Sequence, residues 1–331
     1  MPIKTEFTKK LGITHPILLA PMNIVSGARL TAAVSLAGGF GILGGGFGDK
    51  EWLERELTLL GELIADEKPP FGVGFITWSL AEKPELLDIA LEHKPQAIML
   101  SFGDPKPFAD RIKRSGVKLI CQVQSEDMAS QALDAGADML VAQGTEAGGH
   151  GASRTTMDIV SAVVDFSAGR VPVIAAGGIA DGRGLASTLM LGAAGVLLGT
   201  RFYASEEADG HDEAKKRICA ASGDDTIRGI IFDISQQRVW PSPFTGRCLL
   251  NDHARRWVGR EVELIQNAAE VAVEYETAKA EGNFDVAAVF AGQAVGLIND
   301  IPLAGVIVER IVTEAQQVLD GSGNSNWVTQ D

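Results

Sequence analysis

The first 200 residues repeat one pattern eight times, and this repeat constrains the fold more than any other feature of the sequence. In each repeat a short apolar run is followed by a Gly-rich or polar break and then by an amphipathic stretch. The runs lack a clean alternation of polar and apolar residues, which is typical of strands buried on both faces of a parallel sheet. The eight runs are Pro16–Ala20, Gly39–Leu43, Phe71–Phe75, Ala97–Ser101, Val117–Gln122, Asp138–Ala142, Val171–Ala176 and Gly195–Gly199.

Eight strand–helix alternations are the number that closes a (β/α)8 TIM barrel of the α/β class. A doubly wound open sheet has the same alternation but usually fewer strands, so the barrel is favoured. The pattern predicts a barrel built from residues 1–203 together with 302–320, where a last amphipathic helix follows strand eight. Residues 321–331 are polar and are expected to form a flexible tail.

Residues 204–301 interrupt the repeat and predict a mostly helical insertion, or lid domain, beside the C-terminal mouth of the barrel. We expect no further strand–helix unit in this segment. Helical patterns cover 212–221, 254–280 and 284–291, and the stretch 229–252 reads as irregular. The insertion also offers a surface on which a homodimer could form.

Charge and cysteine content exclude several classes of function. The chain of 331 residues carries a net charge of −14, which disfavours nucleic acids and anionic membranes as partners. Its three cysteines, Cys121, Cys219 and Cys248, are too scattered for a disulfide framework or a zinc site, so no metal is expected. No secretory signal or membrane span is recognisable. We therefore expect a cytoplasmic protein that acts on a small molecule.

Glycine is over-represented, with 38 residues, and much of the excess follows the predicted strands. Active sites of TIM barrels lie at these strand ends. Gly177 and Gly178 follow strand seven, and Gly199 and Thr200 follow strand eight. Loops seven and eight commonly bind phosphate, because glycine lets backbone N–H groups approach an anion closely. A tight turn is the structural alternative for each Gly-Gly pair.

His150 is the most informative side chain, because it alone among five histidines follows a predicted strand between glycines. Gly148 and Gly149 clear space beside its imidazole, which can accept or donate a proton near neutral pH. A structural histidine bonded to a loop carbonyl is the alternative. His15 is expected at the opposite end of the barrel. His93, His211 and His253 are predicted at the surface or at helix ends.

The remaining strand-end residues are less specific. Ala20, Pro21 and Met22 could lie against a flat ring or form a plain strand-to-loop transition. Gln122 and Gln143 could bind a heterocycle or merely satisfy loops. For Glu146, pairing with His150 and capping of its own loop remain equally open. Trp78, Trp240 and Phe244 could line a pocket, although core packing is the default for such rings.

Four motifs occur in an order that resembles the nitronate monooxygenases, long called 2-nitropropane dioxygenases. They are APM at 20–22, QGTEAGGHGA at 143–152, AAGGI at 175–179 and LGTRF at 198–202. The resemblance runs from about residue 13 to residue 319 and implies an FMN-dependent TIM barrel. It is less specific within the superfamily, since flavin-dependent enoyl-acyl-carrier-protein reductases and NADH:quinone reductases share the EAGGH loop.

The resemblance assigns a role to each strand-end group. It implies that Gly177, Gly178, Gly199 and Thr200 hold the FMN phosphate. It also implies that Ala20, Pro21 and Met22 lie along the isoalloxazine and that Gln122, Gln143, Gly148 and Gly149 line its ring or ribityl edge. Gln122 departs from the family, because many relatives carry Lys there.

The implied reaction is the oxidation of nitroalkanes or alkyl nitronates with O2 to carbonyl compounds and nitrite. His150 matches the catalytic histidine of the family and would remove the α-proton of a neutral nitroalkane. An NAD(P)H-dependent flavin reductase of quinones or enoyl thioesters is the alternative function.

Overall fold

The computed structural model describes residues 3–321. The predicted tail therefore lies outside the described residues from position 322 onward. Within the described part of the chain, no helix is both long and apolar enough to cross a membrane.

Strands account for the repeat that the sequence shows. Between residues 3 and 321 they are β1 (Ile17–Leu19), β2 (Gly41–Gly44), β3 (Phe71–Ile76), β4 (Ala97–Ser101), β5 (Lys118–Val123), β6 (Met139–Gln143), β7 (Gly149–Gly151), β8 (Val173–Ala176), β9 (Gly195–Leu198), β10 (Thr226–Gly229) and β11 (Thr245–Leu249).

Eight of these strands form one parallel sheet in the order β1-β9-β8-β6-β5-β4-β3-β2. A parallel bridge between Leu18 and Phe40 joins β1 to the chain just before β2, which brings the two edges of the sheet together. The sheet is therefore a nearly closed barrel, and the predicted (β/α)8 TIM barrel is confirmed. The open-sheet alternative is wrong.

Helices connect the strands and continue into the insertion. They are α1 (Glu6–Leu11), α2 (Ala28–Leu36), α3 (Lys50–Leu63), α4 (Thr77–Leu80), α5 (Glu85–Glu92), α6 (Lys106–Arg114), α7 (Glu126–Asp134), α8 (Thr156–Ser167), α9 (Gly182–Met190), α10 (Thr200–Tyr203), α11 (Asp212–Ala220), α12 (Ile231–Ser235), α13 (Asp252–Trp257), α14 (Glu261–Gln266), α15 (Ala268–Ala280), a 3₁₀ helix (Gln293–Leu297) and α16 (Ala304–Leu319).

Side chains of each barrel strand alternate between the lumen and the surrounding helices. In β6, Met139 and Val141 belong to the lumen cluster, whereas Leu140 and Ala142 pack under the helices. Phe7 and Leu11 of α1 join the lumen cluster and plug one end of the barrel. Because the period of a strand is two, the next lumen-facing positions after these apolar layers lie at the open, carboxyl end. The functional site follows from this register.

Residues 204–301 differ in two ways from the prediction. The stretch read as irregular contains β11 and the short helix α12, and β10 precedes it. Strands β10 and β11 form a three-stranded antiparallel sheet with β7, which lies in the loop after β6. The strand signal is weak here because these strands are short and only partly apolar.

The predicted helices of this segment also need correction. The pattern over 254–280 is divided among α13, α14 and α15. The break after α13 contains Gly259, two residues beyond its end, which adopts a left-handed φ of 76°. Residues 284–291 are not helical, although their apolar side chains are buried: Phe284, Ala287, Val289 and Ala291 pack in one cluster. The prediction was wrong because these apolar side chains are spaced as in a buried helix, and periodicity alone cannot distinguish a buried helix from another buried segment.

Candidate active site

A cavity of about 440 Å³ opens at the carboxyl ends of the barrel strands. All the site residues predicted from the sequence line it: Ala20, Pro21, Met22, Gln122, Gln143, Gly148, Gly149, His150, Gly177, Gly178, Gly199 and Thr200. The barrel register explains the convergence, because each of these residues lies at the end of a barrel strand or in the loop that follows it. Residues 204–301 supply further lining groups, which the sequence did not single out as site residues: Asp233, Arg238, Tyr275 and Phe290.

Gln143 is the centre of an amide network at the bottom of the cavity. Its Oε1 accepts hydrogen bonds from Nε2 of Gln122 at 3.0 Å and from Nε2 of Gln124 at 2.7 Å. Its Nε2 donates to the main-chain oxygen of His150 at 3.0 Å. Gln124 was missed by the sequence analysis because it lies one residue beyond β5. The network fixes the orientation of each amide and ties β7 to the barrel.

His150 lies on β7 with its side chain buried against residues of the insertion. Its Nε2 is 2.9 Å from Oδ1 of Asp233 on α12. The ring stacks on Trp240 with 3.5 Å between centroids and 8° between planes. Phe290 adds a tilted contact at 5.8 Å. The imidazole is thus clamped on one edge by a carboxylate and on one face by an indole.

An aromatic wall continues from His150 toward the mouth of the cavity. Trp240 makes edge contacts with Phe47, Trp78 and Phe102, at 5.3 to 6.0 Å between ring centroids. The guanidinium of Arg238 lies 4.1 Å from the ring centroid of Phe47. Among residues 3–321, the side chain of Arg238 forms no hydrogen bond or ion pair. The wall can therefore exclude water while presenting one cation at its edge.

Two arginines hold the loop between β6 and β7 from behind. Arg228 donates to the main-chain oxygens of Thr145 and Ala147, and Arg247 donates to that of Thr145 at 2.8 Å. Burial, followed by the neighbouring Arg247, lowers the pKa of Arg228 to about 10, so it remains cationic at neutral pH. Both arginines lie in the predicted insertion, 204–301, and Arg247 lies in the part of it that was predicted to be irregular. No motif around either arginine predicts that it binds the loop between β6 and β7.

The glycine loops after β8 and β9 form a cradle with free backbone donors. Within residues 3–321, the N–H groups of Gly178, Gly199 and Thr200 donate no hydrogen bond. Gly177 and Gly178 adopt φ of 108° and 69°. A Cβ at Gly177 would lie 2.8 Å from Oγ1 of Thr156 and 3.0 Å from the main-chain oxygen of Gly144. Unpaired N–H groups on glycine loops are the donor set that a phosphate requires, so these residues fit a phosphate-bearing group.

The structure settles the alternative that the sequence left open for Glu146 and refines the prediction for His253. The carboxylate of Glu146 accepts from the main-chain N–H of Thr156 at 2.8 Å and from its hydroxyl at 2.7 Å, so it caps α8 and does not bond His150. His253 was expected at the surface or a helix end. It lies in the first turn of α13, so the helix-end position is as predicted, but it is not at the surface: it is only 3% exposed, with Nε2 2.8 Å from Oγ of Ser235. The rings of Phe232 from α12 and Tyr275 from α15 pack against it, at 5.8 and 6.2 Å between ring centroids.

Comparison with known proteins agrees with this geometry. The profile of the family "Nitronate monooxygenase" matches residues 4–88 and 76–314. A nitronate monooxygenase from Neurospora crassa is 33% identical, over 92% of this chain and 90% of that protein. A (3aS,4S,5R,7aS)-5-hydroxy-7a-methyl-1-oxo-octahydro-1H-indene-4-carboxyl-CoA dehydrogenase from Mycobacterium tuberculosis is 29% identical, over 95% of this chain and 97% of that protein.

Among solved structures, FabK from Thermotoga maritima superposes with a TM-score of 0.84 at 34% identity, covering 96% of this chain and 98% of that one. The family profile covers most of the chain and includes the glycine loops and the His150 loop. The chain therefore belongs to the nitronate monooxygenase family of flavin-dependent oxidoreductases.

Proposed function

We propose that this protein is an FMN-dependent nitronate monooxygenase, which oxidises nitroalkanes or alkyl nitronates with O2 to carbonyl compounds and nitrite. One observation carries the proposal: a buried histidine and a glycine-lined anion cradle share a single cavity at the barrel mouth. A proton acceptor beside a bound flavin is the arrangement that oxidation of an acidic C–H compound needs.

FMN is the flavin that suits the cradle. Its phosphate would take the free N–H groups of Gly178, Gly199 and Thr200. Ala20, Pro21 and Met22 present backbone and apolar atoms for a flat ring, and Gln122 and Gln143 present amides for its polar edge. Bound FMN supplies the capacity to accept electrons from the substrate and to react with O2. Gln122 is neutral, so it offers no charge to a reduced flavin.

The residues of the chain contribute proton transfer, orientation and exclusion of water. His150 accepts the α-proton when the substrate arrives as a neutral nitroalkane. The stacked Trp240 and the rings of Phe47 and Phe290 keep bulk water from the reacting carbon. Arg238 lies against the Phe47 ring of the aromatic wall and can attract an anionic nitronate.

The test is turnover by the purified, FMN-loaded protein in air with ethylnitronate or 2-nitropropane. We expect O2 consumption together with formation of nitrite. His150→Asn should keep FMN bound and lose activity on neutral nitroalkanes more than on nitronates, because a nitronate has already lost its α-proton. Absence of both O2 uptake and nitrite in the wild-type protein would refute the proposed reaction.

An NAD(P)H-dependent flavin reductase of quinones or enoyl thioesters is the second candidate. The similarity to FabK and to a relative named as a carboxyl-CoA dehydrogenase supports it. Mixing the oxidised protein anaerobically with NADH or NADPH in a stopped-flow instrument separates the two functions. Rapid bleaching of the flavin absorbance, followed by reoxidation with a quinone or an enoyl thioester, favours the reductase. Slow bleaching, together with nitronate turnover in air, favours the monooxygenase.

A further inference from the structure

We infer that Asp233 is a positioning residue for His150: it holds the proton of the neutral imidazole on Nε2 and leaves Nδ1 as the nitrogen that accepts the substrate proton. The inference rests on the proposed function for its consequence in turnover. The hydrogen bond itself is independent of which flavin reaction the protein catalyses.

The contact between the two side chains is short and buried. Nε2 of His150 and Oδ1 of Asp233 are 2.9 Å apart, and the side chains are 8% and 7% exposed. A carboxylate can only accept hydrogen bonds, so Nε2 must be the donor. Among residues 3–321, Nδ1 of His150 has no hydrogen-bond partner, and the residue lines the cavity. The second nitrogen is thus the one available to a reactant.

Asp233 is itself held rigidly from two sides. On α12 its main-chain oxygen accepts from the N–H of Arg238 at 2.9 Å. Ser235, one half-turn further on, bonds His253 of α13 at 2.8 Å. Its Oδ2 is buried and has no partner within the described part of the chain, so no competing donor draws the carboxylate away from His150. A fixed carboxylate is what control of a histidine tautomer requires.

The other neighbours of the imidazole cannot perform this task. Trp240 contacts a ring face and Phe290 packs at a tilt, and neither offers an acceptor to a ring nitrogen. Gly246 lies opposite His150 in the β7–β11 pairing and contributes no side chain. Asp233 is therefore the residue that selects between the two tautomers.

The decisive variant is Asp233→Asn, which keeps the shape but adds an N–H donor. Its amide can donate to Nε2, which moves the ring proton to Nδ1 and removes the acceptor that faces the substrate. General-base catalysis is worth about 10²–10⁴-fold. We therefore expect kcat/KM for neutral 2-nitropropane to fall about 100-fold or more. Activity on preformed ethylnitronate should stay within about threefold, because that substrate needs no base.

Asp224→Asn serves as the matched control, since Asp224 is exposed in a turn of the same segment and contacts neither His150 nor the cavity. It should leave both activities unchanged. A similar loss on both substrates in Asp233→Asn would overturn the inference, since a merely structural effect would not distinguish them. No loss on either substrate would also overturn it.

A second measurement needs no turnover. In FMN-loaded protein labelled with ¹⁵N-histidine, NMR at pH 8.5 reports which nitrogen of each neutral imidazole carries the proton, and His150→Asn assigns the signal. We expect the Nε2-protonated form in the wild-type protein and the Nδ1-protonated form in Asp233→Asn. An Nδ1-protonated His150 in the wild type would overturn the inference even if the variant failed to fold. If nitronate turnover is absent but the tautomer is as expected, only the proposed function fails.

Discussion

Alanine at Gly177 and at Gly199 should separate the folding role of the cradle from its binding role. Gly177 combines a φ of 108° with a Cβ position only 2.8 to 3.1 Å from Thr156, Gly144 and Ala147. Backbone strain of this kind costs about 1–3 kcal/mol. Overpacking against neighbours that cannot move adds about 1–3 kcal/mol. We therefore expect Gly177→Ala to lower the free energy of unfolding by about 2–6 kcal/mol.

Gly199 is the matched position without these penalties. Its φ is −103°, which any residue adopts, and a Cβ would lie 3.6 Å from Cβ of Ala20 and Sδ of Met22, in ordinary contact. Stability should change by no more than about 0.5 kcal/mol. The added methyl nonetheless lies in the cavity beside an unpaired N–H. Losing one hydrogen bond to a charged phosphate costs about 1.5–3 kcal/mol, so we expect FMN to bind about 10- to 100-fold more weakly.

Two assays on the same proteins check these values. Thermal unfolding of the flavin-free forms measures stability. For a chain of 331 residues the entropy of unfolding is about 0.7 kcal/mol per degree, so Gly177→Ala should lower Tm by about 3–9 °C. Quenching of FMN fluorescence measures affinity, and Gly61→Ala, on the open face of α3, controls for the substitution itself. An unchanged Tm for Gly177→Ala, or full FMN affinity for Gly199→Ala, would refute the reasoning.

Three further predictions concern the walls of the cavity and the insertion. Trp240→Leu removes the ring stacked on His150. Because an aromatic pair contributes about 0.5–1.5 kcal/mol, kcat/KM should fall about two- to tenfold. Steady-state kinetics showing full activity would contradict this. Arg238→Gln should raise KM for an anionic nitronate severalfold and reduce its dependence on salt, with little effect on a neutral nitroalkane; equal effects on both substrates would argue against a charge contribution. Burial lowers the pKa of His253, so the folded protein binds fewer protons there than the unfolded chain, and stability is lost as pH falls through the ordinary histidine range. His253→Gln should make the decline in Tm between pH 7 and pH 5 shallower but not abolish it, because burial lowers the pKa of His15 too; an unchanged slope would show that His253 is not responsible.

The barrel could be predicted because its sequence signals lie within short stretches of the chain. Each strand is a short apolar run that is followed directly by a Gly-rich or polar break. Hydrophobic periodicity and the position of these breaks are therefore enough to identify the strands. The strand-end residues followed from the same register, and Gln122 and Gln143 reach the cavity simply because they continue the lumen-facing rows of β5 and β6.

The groups around His150 could not be predicted in this way. Asp233 lies 83 residues from His150 in the chain, and its burial depends on a short helix within a stretch that has no periodicity. In the sequence Arg228 and Arg247 resemble ordinary surface charges, and only the pairing of β10 with β11 and of β11 with β7 brings them to the loop after β6. Contacts between residues far apart in the chain give no pattern within a window of about ten residues. The barrel could therefore be predicted from the sequence, whereas the contacts of Asp233 and Trp240 with His150 could not.

The pairing of β7 with β11 has a consequence for how enzymes of this shape can diversify. The strand that carries His150 is completed by a strand from the segment that also supplies Asp233 and Trp240. Exchanging residues 231–249 for the equivalent stretch of a relative therefore alters substrate contacts and proton transfer in one step. An engineered exchange that aims at new substrates must therefore transfer α12, Trp240 and β11 together, and a mutant library should vary them as one unit.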